Sequence, residues 1–378
     1  MVTIEPVQSR RDLEAFVRFP WRVYRGDRNW VPPLISDQMK RLDPERSAFF
    51  RHADVLRLLA RTGREVVGTI VAFVDHRANE YRGEAVGGFG FFEVVEDYSV
   101  AAALLDAARD WLRDQGATVM RGPMNFTHSD HGGVLIAGAD CPPVMLQSHT
   151  PPYYARFLEQ YGMEKHADFY AYRIFRHQIG ENLEHVPQEI LHVAEAARRI
   201  NRVTLRSIRL DDWDREVRVV WYLFNETLKH FPDYVPMSEE DFIEIANPLR
   251  SLIDPQMALI AEIDGEPVGF GVAIPDINRV LIHLNGRLFP FNWLRVRGLM
   301  RRIDVASFKL IGVLDRYRMR GIDAVLYLGV IQGFMQRGYA WLDGSVTGEY
   351  NLMANLIAQR WGAERYKHFR VYQQSLVG

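Results

Sequence analysis

The sequence predicts an α/β (α+β) protein of two tandem domains, each a mixed twisted sheet flanked by helices. Three observations carry this expectation. Short apolar or alternating segments bounded by turn residues take turns with stretches of helical periodicity along the whole chain. The order of these elements in the first half recurs in the second. The 378 residues suffice for two cores of ordinary size, and 48% hydrophobic with 25% charged residues is a globular balance.

In the first half, Val2, Ile4 and Val7 give an apolar-alternating start, and a helix is predicted over 12–24. Residues 55–59 and 66–74 read as strands around a turn at Gly63, and 89–95 as a further strand. Ser99 is placed to cap a helix over 101–112 that Gly116 ends, and a strand begins at 118–120. A short helix over 153–161 stops at Gly162, with a strand at 170–174. The second half repeats the order. A strand at 203–208 precedes a helix opened by Asp211 and Asp212 and running to 228. Strands at 257–263 and 267–274 flank the hairpin signal Asp264-Gly265. A long apolar strand at 303–314, a helix at 321–336, a strand at 340–346, a helix at 351–360 and a strand at 366–373 complete it. The expected domains are 1–176 and 203–378, joined by a linker or connecting helix at 177–202.

The formal net charge of −2 gives no global reason to expect nucleic acid as a partner. The single cysteine, Cys141, excludes an intramolecular disulfide framework and makes a reducing, cytoplasmic setting the expectation. The N-terminal residues have neither the basic nor the apolar region of a secretory signal. No stretch approaches the roughly 18 apolar residues of a spanning helix, which leaves room for peripheral attachment to the inner face of a membrane. Oligomeric state is not legible.

The chemically informative stretch is 312–326, where an apolar strand runs into a basic turn and a helix starts at once. Such a turn aims backbone N–H groups and the positive end of a helix dipole at one spot, which suits a pyrophosphate. Arg316, Arg318 and Arg320 add charge, and Gly321 permits close approach of the backbone. Spacing alone is equally compatible with a strand–helix corner carrying solvated arginines.

This stretch resembles the acyl-CoA pyrophosphate loop of GNAT acyltransferases, Gln/Arg-x-x-Gly-x-Gly/Ala, which here is Arg318-Met319-Arg320-Gly321-Ile322-Asp323. Asp323 stands where that family prefers Gly or Ala. Downstream, Asn351, Ala354 and Ile357, then Trp361, Gly362 and Glu364, resemble the family's terminal motif, Asn-x-x-Ala-x-x-Leu-Tyr followed by Gly-Phe-Glu. The resemblance implies two GNAT-like domains, the second binding acyl-CoA as co-substrate through this loop and Asn351. It also implies a backbone N–H near Val313 and Leu314 that holds the thioester carbonyl oxygen. Where the family often carries a Tyr that protonates the departing thiolate, this chain has Ala358. As general base, Glu349 and Asp343 border the expected cleft, each equally suited to a capping or salt-bridging role.

The first half carries Glu93, Glu96 and Asp97 where the second carries arginines, so it is expected to be a degenerate GNAT-like domain without a CoA loop. Its polar cluster Asn125, His128, Asp130 and His131 reads as a loop lining the acceptor site or as a hydrogen-bonded turn, and Tyr153 and Tyr154 as a wall of that site or as core; no metal is predicted there.

Between 277 and 303 the chain has six arginines and no acid, interleaved with Trp293, Phe289, Phe291, Leu294 and other apolar residues. An interfacial segment on an anionic membrane needs this combination, and an inter-domain packing arm would also account for it. Two GNAT-like halves with such an insertion are similar to the bacterial ceramide synthases, which implies transfer of a long acyl chain to a lipid amine such as a sphingoid base. Trp293 and the first-half cluster are the expected substrate contacts, and acetylation of a small polar amine and non-catalytic CoA or lipid binding are the alternatives.

Overall fold

Each half of the chain builds a mixed sheet around one parallel strand pair, whose members a helix must join because a hairpin cannot. The computed structural model describes residues 1–126, 132–232 and 234–377.

In the first half, β1 (Val2–Pro6), β2 (Ala53–Thr62), β3 (Glu65–Asp75) and β4 (Val86–Val94) pair antiparallel in sequence order. The helix Tyr98–Asp114 then crosses to β5 (Val119–Gly122), parallel to β4. Asp97, rather than the expected Ser99, is its N-cap and accepts from the Ser99 N–H. The helix buries Val100, Leu104, Leu105, Ala108 and Leu112 in one core with Ile70, Phe89 and Tyr154. At about 1.5–3 kcal/mol for each fully buried large side chain, this face holds the helix in place. The helix expected over 12–24 is two, Arg10–Arg18 and Pro20–Val23, broken where Pro20 cannot donate. β6 (Val134–Ala137) and the helix Tyr153–Gln160 follow. β7 (Glu164–Phe175) lies in the first compact unit through Tyr170 and in the second from Ala171.

The second half repeats the plan with β8 (Val203–Ser207), β9 (Ala258–Ile263), β10 (Glu266–Pro275) and β11 (Val305–Val313), antiparallel in order. The helix Ile322–Arg337 crosses to β12 (Trp341–Gly348), parallel to β11. It is apolar on nearly every side, burying Val325, Leu326, Leu328, Val330, Ile331 and Phe334, because the sheet and the helix Gln188–Ile200 both pack on it. The 177–202 linker therefore belongs to this core, through Ala194 and Ala197.

The compact units are 1–170 with 280–297 and 366–378, and 171–279 with 298–365. They differ from the boundaries read in the sequence. The last strand, β13 (Glu364–Ser375), pairs antiparallel with β5 through Tyr372↔Gly122 and also with β6, both strands of the first half. The insertion core, 280–297, likewise belongs to the first unit, where Trp21 Nε1 donates to Asn285 at 2.7 Å.

Candidate active site

In the second unit the parallel pair opens into a cleft. β11 and β12 are in register from Val305↔Trp341 to Phe308↔Gly344, and there the pairing ends, although the strands continue to Val313 and Gly348. A β-bulge marks the parting. Val272 faces Leu310 and Ala273 faces Phe308, leaving Lys309 as the extra residue of β11. The bulge shifts the alternation of faces. Ala306 and Phe308 before it, and Ile311 and Val313 after it, all pack toward the core beneath the helix Ile322–Arg337.

On the other face of the pair, at its point of separation, four polar side chains meet. Ser307 and Asp343 are register partners, and Ser345 and Lys309 each lie two residues further along. Ser307 Oγ and Ser345 Oγ both donate to Asp343 Oδ2, the latter at 2.6 Å. Lys309 Nζ donates to Ser345 Oγ at 3.1 Å and lies 3.5 Å from Asp343 Oδ2. Asp343 is fully buried, and the Lys309 side chain is only 9% exposed. Burial pulls the Lys309 ammonium below the usual lysine range, while Asp343 and Asp276 pull the other way. Of the four, the sequence singled out only Asp343, as an accessible base; the structure places it beneath two hydroxyls and an ammonium instead. The overlooked signal was a pair of polar alternations inside apolar strands, Ser307/Lys309 and Asp343/Ser345.

β11 leads into the basic turn. A 3₁₀ turn over Asp315–Tyr317 is followed by Met319 and Gly321 at positive φ, 60° and 74°, and the 16-residue helix Ile322–Arg337 starts with no side chain capping it. Its first N–H groups have no acceptor within the helix. Glycine is required at 321: besides the left-handed φ, a Cβ would stand 2.8 Å from Val193 Cγ1 and 3.0 Å from the Val193 carbonyl oxygen. Arg316 is ion-paired with Glu266, Arg318 pairs with Asp315 at 3.1 Å, and Arg320 lies over the Tyr317 ring. Met319 and Asp323 are exposed, whereas Ile322 is buried in the core.

The Leu314 N–H donates to Val268 O at 2.9 Å and is not open to a ligand. Successive N–H groups of a strand point to opposite sides, so that of Val313 is directed toward the side β12 has left. Glu349 follows β12, partly exposed. Asn351 caps the helix Leu352–Arg360 by accepting from the Ala354 N–H at 3.3 Å, which gives it a structural task. That helix leaves Leu352, Met353 and Leu356 exposed.

The first unit has the corresponding parting, and it is filled. Pairing of β4 with β5 ends at Gly88↔Arg121, and the register against β3 slips between Thr69↔Glu93 and Val71↔Gly90. Into the opening runs the chain after β5. Met124 N donates to Phe89 O at 2.7 Å, and Phe91 N donates to Asn125 Oδ1 at 2.7 Å. The packing is so close that a Cβ on Gly90 would fall 1.7 Å from Met124 O. Asn125, expected at an acceptor site, thus closes this cleft. Tyr154 is fully buried, donating to Glu93 at 2.7 Å and accepting from the Val94 N–H, and Tyr153 donates to Val94 O at 2.7 Å. Tyr154 is thus a core residue, and half-buried Tyr153 packs against the same core. Burial raises the Glu93 carboxyl to about 7 against hydrogen bonds from Tyr154 and Tyr24. His128, Asp130 and His131 lie outside the described residues. Among the described residues no three His, Cys, Asp or Glu side chains are placed to share a metal ion.

Solved structures share this architecture over the full chain. A tandem GNAT protein from the clavulanic acid biosynthesis pathway matches with TM-score 0.60, covering 100% of this chain and 99% of its own at 12% identity. A GCN5-related N-acetyltransferase from Sphaerobacter thermophilus matches with TM-score 0.53, over 99% of this chain and 96% of its own at 13% identity. The shared fold is two GNAT-like domains in tandem. No protein-family model matches the chain. Full-length relatives do. Protein YghO of Escherichia coli (strain K12) is 32% identical over 97% of this chain and 94% of its own length. The bacterial ceramide synthase of Caulobacter vibrioides is 30% identical over 99% and 98%. The chain belongs to the family these relatives share, the GNAT-type N-acyltransferases.

Proposed function

We propose that the chain transfers a long acyl group from acyl-CoA to the amine of a lipid, such as a sphingoid base, and that the second unit alone holds the donor. The observation that carries this is the opening between β11 and β12, which leads to the uncapped, Gly321-led helix N-terminus among Arg316, Arg318 and Arg320. Extended pantetheine fits beside a strand whose Val313 N–H is turned to the opening, and diphosphate fits a helix start with free N–H groups. In this reading Val313 holds the thioester oxygen, and Glu349 takes a proton from the incoming ammonium directly or through water.

A lipid acceptor is supported by two exposed apolar surfaces. Leu352, Met353 and Leu356 lie on the helix that follows β12. In the insertion, Phe289, Phe291, Trp293 and Leu294 are exposed, Phe291 at 74%, beside exposed Arg287, Arg295 and Arg297. With no acid between 277 and 303, this segment suits an anionic bilayer, each Arg near the surface contributing about 1 kcal/mol. Among the described residues no helix is long and apolar enough to cross a membrane, so attachment would be peripheral. The Caulobacter relative is named a bacterial ceramide synthase, which supports a sphingoid acceptor for this chain.

The test compares acetyl-CoA with palmitoyl-CoA as donor, and a sphingoid base with a soluble amine as acceptor, with and without anionic vesicles. Faster turnover of palmitoyl-CoA on the sphingoid base, with sedimentation on anionic but not neutral vesicles, is expected. Preference for acetyl-CoA on the soluble amine would replace the lipid reading with small-amine acetylation. Binding of CoA without turnover of any pair would leave a CoA-binding protein.

A further inference from the structure

The transfer reaction has two proton problems, and the acid the family often supplies is missing at Ala358. Lys309 offers a proton donor at the opening itself. It is the bulge residue at which β11 leaves β12, so its side chain stands at the apex of the opening, within the unit that carries the basic turn. Asp343 and Ser345 fix its Nζ, and Ser307 fixes Asp343 in turn. An ammonium this buried has no structural need to sit at the apex of a cleft; the apolar residues on either side of it, Phe308 and Leu310, show what β11 is otherwise made of.

We propose that Lys309 is the general acid of this enzyme, donating a proton from Nζ to the departing CoA thiolate, with Ser345 and Asp343 as positioning residues. The proposal rests on the acyl-CoA reading above. The neutral amine attacks the thioester carbon, forming C–N and leaving the charge pair O⁻ and N⁺–H. As C=O re-forms, the C–S bond breaks with its electron pair on sulfur, and the Nζ–H proton passes to sulfur to give the free thiol. The nitrogen, now an amide bearing one proton too many, returns a proton to the neutral Lys309 amine, directly or through the Ser345 hydroxyl. The ammonium is restored, and amide and CoA thiol are the only products. Asp343 and Asp276, which follows the end of β10, both face Lys309 and favour its charged form. Burial lowers the proton affinity of Nζ, which eases release of its proton.

The test is the pH dependence of kcat in wild type, Lys309→Met and the charge-neutral double variant Lys309→Met/Asp343→Asn, the latter guarding against misfolding from an unpaired buried carboxylate. Wild-type kcat should fall at high pH as the ammonium deprotonates. Lys309→Met should lower kcat about 100-fold or more, lose that high-pH limb, and keep its dissociation constant for CoA within about twofold. The double variant should behave like the single one. A folded variant, single or double, with kcat near wild type, or one that retains the high-pH limb, would overturn the assignment. Failure of the wild-type protein to bind CoA would instead overturn the donor reading on which it rests.

Discussion

The chain makes the same opening twice and leaves only one of them open. In both units a parallel pair, β4/β5 or β11/β12, parts beside a slip in register against the preceding strand. In the first unit the bulge region carries Phe91, whose N–H is taken by Asn125, and residues 124–126 fill the gap. In the second the bulge carries Lys309, and the strand end leads to arginines and a glycine instead of Glu96 and Asp97. The fold therefore supplies a cleft, and what occupies the bulge and the following turn decides whether it is a core or a site. That division of labour is testable by disturbing each opening in turn.

The largest effect should come from reversing charge at the open end. Arg318→Glu together with Arg320→Glu should weaken CoA binding on the order of 100-fold while leaving the melting temperature nearly unchanged, because neither side chain is buried. Calorimetry with CoA checks it, and undiminished affinity would remove the basic turn from the site. Next comes the glycine of each opening. Gly321→Ala should cost about tenfold in CoA affinity by straining a left-handed residue against Val193. Gly90→Ala should destabilise the first unit, through the clash with Met124, and leave the affinity of the folded protein within about twofold. If both variants lost CoA equally, the two openings would not be independent.

Glu349→Gln should slow acyl transfer roughly tenfold at low pH and progressively less at high pH, where free amine needs no base. A rate ratio constant across pH would transfer the base role away from Glu349. The smallest effect belongs to the closed opening. Burial raises Glu93 from 4.5 to about 7, so the fold favours its protonated form. Its stabilising contribution is complete below about pH 4.5 and is lost as pH rises through about 7. Wild type should lose stability over that window relative to Glu93→Gln, followed by denaturant midpoint; parallel curves would show that Glu93 titrates as an ordinary carboxylate.

Much of this was legible in the sequence because it is local. The strands, both crossover helices and the basic turn each follow from contiguous residues, and the hairpin at Asp264-Gly265 is written in two. What was not legible depends on pairing over long separations. The last strand joins β5 rather than its own half, a choice that no periodicity encodes. The quartet around Asp343 joins residues 36 apart and needs the bulge at Lys309 to bring it about, so Asp343 read alone as an accessible base. Tyr153 and Tyr154 read equally as the wall of a site or as core, because aromatic residues serve both; burial settles it for Tyr154 alone. Asn125 misled in the opposite way, since a polar side chain that closes a cleft reads the same as one that lines it.

The most direct measurement is a calorimetric titration of the full chain with CoA, repeated on the Arg318→Glu/Arg320→Glu variant. One open cleft and one closed one predict a single CoA per chain, its affinity weakened on the order of 100-fold by the charge reversals. Two CoA molecules per chain, or one whose affinity survives the reversals, would contradict the account.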